Sequence, residues 1–178
     1  MLLARMSLLS RFFGVADPGS TEPESLRRIA TELEQLEPDR ARFLAAFAYV
    51  LARIAHCDLE VDANEVAEME RALMRIGELP ETEARLAVQI AVHQAVAIGA
   101  SDDYTVTREF RRMTEKPERV RLLRCVLAVA AADDTISSEE TAEVLQIGEE
   151  LGFTRPEVFA LRLEHRDKIA ELKTPGGR

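Results

Sequence analysis

Two short acidic stretches are the part of this chain best equipped for chemistry. They read Asp58-Leu59-Glu60-Val61-Asp62-Ala63-Asn64-Glu65 and Asp133-Asp134-Thr135-Ile136-Ser137-Ser138-Glu139-Glu140. Both follow one pattern: Asp, two residues, an aliphatic, a polar residue, two residues, Glu. Carboxylates grouped in this way suit a hard cation such as Ca²⁺, Mg²⁺ or Mn²⁺. They equally suit the start of a helix. Asp62 and Ser137 have N-cap side chains, and Glu65 and Glu140 lie three residues later, the spacing of a capping box. Val61 and Ile136 sit before the caps, as a hydrophobic staple requires. Capping leaves Asp58 and Asp133 unexplained. Each falls at the negative end of the preceding helix, where a carboxylate is disfavoured by a few tenths of a kcal/mol. A positive partner is expected there: an arginine, a backbone amide or a cation. Neither stretch is an EF-hand. Counting from Asp58 puts Ala63 where the turn needs Gly and Met69 where the bidentate Glu belongs; counting from Asp133 puts Ser138 and Val144 there. Cation binding and helix capping both stand as readings of the bends.

Other chemistries find little support. His56, His93 and His165 share no metal-ligand spacing, and no glycine-rich phosphate loop or nucleophile elbow occurs. No catalytic residue is expected, and the chain reads as a non-enzyme. Cys57 and Cys125 form no CxxC pair and read as small core residues in a reducing compartment. Nucleic acid is not an expected partner, because the chain carries 23 basic against 32 acidic residues, a net charge of −9, and nucleic-acid binders depend on Lys and Arg to displace counterions.

The elements that must position the bends are helical. Of 178 residues 47% are apolar, but only 5% are aromatic and none is Trp, so alanine and leucine carry the core. Apolar spacings of three and four residues predict helices over about 24–36, 38–57, 62–77, 80–99, 117–130, 137–152 and 156–172, with a short charged segment over 105–115. Gly77 is expected as a C-cap, and the helix over 80–99, apolar on most sides, as the central one. No stretch alternates with period two, so no sheet is expected. The fold class is all-α, a bundle of about seven to eight helices.

The chain also resembles itself. Residues 47–77 align with 122–152 without a gap, an offset of 75, with identities at Ala55/Ala130, Asp58/Asp133, Glu65/Glu140, Ala67/Ala142, Glu68/Glu143 and Gly77/Gly152. The implied unit is helix, acidic bend, helix, Gly stop, helix. Two such units, about 38–98 and 117–173, would cover each other's apolar faces.

Ahead of them, residues 1–23 form an apolar leader and linker, and residues 174–178 a tail. Leu2, Leu3, Met6, Leu8, Leu9, Phe12 and Phe13 are too short a run to span a bilayer, and Arg11 interrupts it as a signal peptide; Met6 is an alternative start. The leader reads as a frayed or self-docked segment, or as one making peripheral membrane or partner contact through residues 1–14. The expected location is cytoplasmic, at the inner membrane face if the leader engages it. A purely structural helical scaffold or homo-oligomer without a metal site is the alternative function.

The two acidic bends, each opening a helix that ends in Ile-Gly or Leu-Gly, resemble the TerB-like (tellurite resistance TerB) domain, which is also the N-terminal part of DjlA-type co-chaperones. The resemblance covers roughly residues 40–173 and rests on Cys57–Glu65 and Ala132–Glu140. The family turn carries Gly where this chain has Leu59 and Asp134. The resemblance implies an all-helical module related to stress or tellurite resistance, with acidic residues of both repeats gathered to bind divalent cations, protein partners or both. Carried over position by position, the candidate metal ligands are Asp58, Asp62 and Glu65, with Asp133 and Glu140, and Asp134 beside them. No His-Pro-Asp tripeptide is present, so no J domain is implied.

Overall fold

The structure, a computed structural model, describes residues 24–55, 63–97, 103–131 and 136–165. Among them eight α-helices follow one another: α1 (Glu24–Glu34), α2 (Pro38–Ala55), α3 (Ala63–Arg75), α4 (Glu81–Ala97), α5 (Asp103–Met113), α6 (Lys116–Ala130), α7 (Ser138–Glu150) and α8 (Arg155–Arg162). A 3₁₀ turn, Leu163–His165, follows α8. No strand occurs among the described residues; Ile136 alone makes a single β-bridge contact.

The hub is α2. It packs against α4, α5, α6 and α7, and touches α1. Every residue from Leu44 to Ile54 is buried. Alanines at 45, 46, 48 and 52 thin this helix, so neighbours approach it from several sides, while Phe47, Val50 and Leu51 fill the space between them. Burying each of these larger side chains contributes about 1.5–3 kcal/mol. The expectation of a central helix over 80–99 holds only partly: α4 buries Ala84, Leu86, Ala87, Val88, Ile90 and Ala91, but it leans on α2 rather than replacing it.

The charged segment over 105–115 forms a true helix, α5. Its core side is Val106, Thr107 and Phe110. Phe110 meets Phe43 and Phe47 of α2 with ring centroids 5.3 and 6.1 Å apart. Three apolar or small residues on one face were enough to dock it, although the segment is otherwise polar.

Helix ends flanking the two bends fall at the same offset of 75: α2 ends at Ala55 and α6 at Ala130, while α3 covers 63–75 and α7 covers 138–150. The far ends differ. At Gly152 (φ +88) the amide of Gly152 donates to Glu149 O and that of Phe153 to Gly148 O, a Schellman stop. Gly77 is not the left-handed residue of its turn; Glu78 is, at φ +55. Gly77 is needed for another reason. A Cβ there would lie 2.6 Å from Leu73 O and 3.3 Å from Cys125 Sγ, so it marks the close approach of α3 to α6. Cys125 is a buried free thiol, as expected, and burial pushes its pKa up to about 12. Cys57 lies outside the described residues.

A candidate acidic site at two helix junctions

Of the six candidate ligands, Asp58, Asp62, Asp133 and Asp134 lie outside the described residues. The backbone of Glu65 is in the first turn of α3, and its side chain is outside what is described. Glu140 is the one whose side chain is placed, and it is engaged in a cap. Ser137 is extended at φ −69, ψ 171, its amide donates to Glu140 Oε2 at 2.6 Å, and the Glu140 amide donates to Ser137 Oγ at 3.1 Å. Glu140 is only 6% exposed. A carboxylate here meets the positive end of α7 and one of its free amides, which offsets its removal from water.

The cap is tied to the last helix. Thr141 Oγ1 donates to Ser137 O at 2.7 Å and accepts from Arg162 Nη2 at 2.8 Å. Arg162 is buried, so α8 reaches back across α7 to the residues that follow the second bend.

A second tie joins the exit of α2 to α7. Arg53, in the last turn of α2, donates from Nε to Glu143 Oε1 at 2.7 Å, from Nη1 to Glu150 Oε2 at 2.6 Å and from Nη1 to Thr107 Oγ1 at 2.9 Å. Gln146 Nε2 also donates to Glu150 Oε1 at 3.1 Å. Burial alone would lower the Arg53 pKa, but the hydrogen bond to Glu150 and the charges of Glu143 and Glu150 outweigh it, and the pKa is raised. Arg53 therefore stays cationic inside the bundle. The helix that leads into the first bend is thus fastened to the helix that leads out of the second.

Sequence reasoning did not single out Arg53, Glu143, Glu150 or Arg162. A signal for the first was present. Arg53 is the only charged residue between Phe43 and Ala55, and a lone charge in an apolar stretch needs a partner. Glu143 was visible only as half of the Glu68/Glu143 identity. Among the described residues no group of three or more His, Cys, Asp or Glu side chains is placed to hold a metal ion. No helix among them is long and apolar enough to cross a membrane.

An all-α bundle in which two acidic bends lead into helices of equal length defines a class of small helical modules. Within that class the chain belongs to the TerB family: the family model described as "Tellurite resistance protein TerB" matches residues 43–163, more than half of its length. The matched span runs from the first turns of α2 into the 3₁₀ turn after α8, with α1 lying before it. No curated protein and no solved structure matches the chain.

Proposed function

We propose that this chain is a non-catalytic TerB-like module, serving stress or tellurite resistance, that binds a divalent cation through its two acidic bends and presents them to protein partners. The observation that carries this reading is the Arg53 tie. It fastens the last turn of α2 at Arg53, four residues before Cys57, to Glu143 and Glu150 of the helix that follows the second bend. The oxygen-rich segments that follow α2 and precede α7 carry the ligand chemistry of Ca²⁺, Mg²⁺ or Mn²⁺. Because Glu140 already serves its own helix, the ligands of first choice are Asp58, Asp62, Asp133 and Asp134, with Glu65 beside them. We place the module in the cytoplasm, with residues 1–14 as its means of peripheral contact with membrane or partner.

The test is a thermal titration of the full chain. Metal at about a hundred times its Kd adds about 2.7 kcal/mol, which moves the midpoint of a domain this size by roughly 5–10 °C. The wild type should gain such a shift with one of the three cations and lose it in EDTA, and Asp58→Asn/Asp133→Asn should gain none. No shift at millimolar metal, or the same shift in the variant, defeats the reading.

One observation favours the alternative of a structural scaffold. Glu140 is fully accounted for by the Ser137 cap, and a chain in which all four remaining aspartates serve local capping and pairing would need no cation. That alternative predicts a midpoint unmoved by metal and by EDTA alike.

A further inference from the structure

The outer side of α5 is basic in an otherwise acidic molecule. Opposite its core residues Val106, Thr107 and Phe110, it exposes Tyr104, Thr105, Arg108, Arg111 and Arg112. Spacings of three and four residues stack Tyr104, Arg108 and Arg111 along one line, with Arg112 beside them. This arc holds no acidic residue. Glu109 flanks it and meets Arg112 at 3.5 Å.

Three basic residues just downstream are paired. Lys116 meets Glu157 at 2.6 Å, Arg121 meets Glu78 at 3.1 Å, and Arg124 meets Glu164 at 2.9 Å. Acid outnumbers base by 32 to 23 in the chain, yet among the described residues no ion pair includes Arg108 or Arg111. Arg111 lies close to the turn after α7. Its guanidinium lies over Gly152, where a Cβ would come within 2.7 Å of Cζ and 2.8 Å of Nε. Tyr104 is 59% exposed, and Tyr and Arg are the residue types that most often carry binding energy at protein interfaces.

We propose that this face of α5 docks an acidic segment of a partner protein, with carboxylates one helical turn apart on Arg108 and Arg111 and an apolar side chain against Tyr104. Guanidinium and carboxylate match as bidentate pairs, and the charge of the arc is complementary to such a segment. A nucleic acid is the poorer occupant, since three arginines on one helical arc form no extended basic groove to track a phosphate backbone. An anionic membrane calls for about 4–8 clustered basic residues, more than this arc holds. The face uses none of the acidic-bend residues, so it stands or falls apart from the cation reading.

The experiment is fluorescence anisotropy of the full chain in EDTA. The probe is a labelled synthetic helical peptide with Glu at i and i+4 and Leu at i+8, all on one face; a Gln-for-Glu version is the control. The Glu peptide should saturate the wild type. Its affinity should fall roughly tenfold or more in Arg108→Glu/Arg111→Glu, a charge reversal at the centre of the contact, and fall with added salt. Circular dichroism and the melting midpoint of the variant should match the wild type, because both side chains are exposed. Equal binding by the variant or by the Gln peptide overturns the proposal. So does binding of a labelled oligonucleotide or of phosphatidylserine vesicles in place of the Glu peptide. Self-association of the wild type that the same substitutions abolish also overturns it, by making a second copy the occupant.

Discussion

Arg53 Nη1 donates to Glu150 Oε2 at 2.6 Å, with the two side chains only 2% and 8% exposed. Glu143 closes the other side of the guanidinium at 2.7 Å and is itself 25% exposed. Such a pair repays its own desolvation only while both partners are present. Arg53→Met should therefore destabilise the fold by about 3–5 kcal/mol, because it strands a buried carboxylate. Arg53→Met/Glu150→Gln should recover part of that loss. Urea unfolding of the three proteins measures it; a single variant as stable as the wild type would show the network to be dispensable.

The cap and the proposed cation site predict different signatures. Ser137→Ala removes the oxygen that accepts from the Glu140 amide at 3.1 Å and should cost about 1 kcal/mol. The loss should be the same in EDTA and in saturating metal, since the hydroxyl serves the helix. A loss that appears only with metal present would assign Ser137 to the cation instead.

Gly152 combines two constraints. Its φ of +88 lies where side chains are disfavoured, and a Cβ would press on the Arg111 guanidinium at 2.7 Å. Gly152→Ala should lower stability by about 1–2 kcal/mol. It should also weaken the Glu-peptide contact in proportion to how far Arg111 is displaced. Thermal melts and the anisotropy assay read the two effects separately, and an unchanged melt would contradict the first.

Acid should loosen the α6–α8 contact. The Lys116 ammonium, the Thr154 amide and the Thr154 hydroxyl hold the Glu157 carboxyl down at about 2, against an ordinary value of about 4.3. Its folded pKa is depressed, so its contribution is fully present above about pH 4.3 and is lost as pH falls toward 2. The melting midpoint should decline across that window. Glu157→Gln should decline less steeply there, though from a lower starting point; parallel curves for the two proteins would remove Glu157 from the account.

Much of this molecule was readable along the chain. Helical spacing placed α1, α2, α3, α4, α6 and α7 to within a few residues of where they lie, because apolar periodicity is a local property that packing had no reason to override. The Ser137–Glu140 cap was legible for the same reason: its partners are three residues apart. The α5 helix was harder, since only Val106, Thr107 and Phe110 mark its inner face, and the worth of Phe110 depends on Phe43 and Phe47 being opposite.

The repeat pattern could name corresponding positions, Glu68 with Glu143 and Gly77 with Gly152, but not their different roles. Glu143 receives Arg53; Gly152 takes a positive φ, whereas Gly77 makes room for Cys125. Which helix becomes the hub and which buried arginine meets which carboxylate depend on residues 40 to 100 positions apart coming together. No spacing rule spans that distance. Those choices were made by the packing of α2 among its neighbours, where a charge removed from water must find its partner in three dimensions.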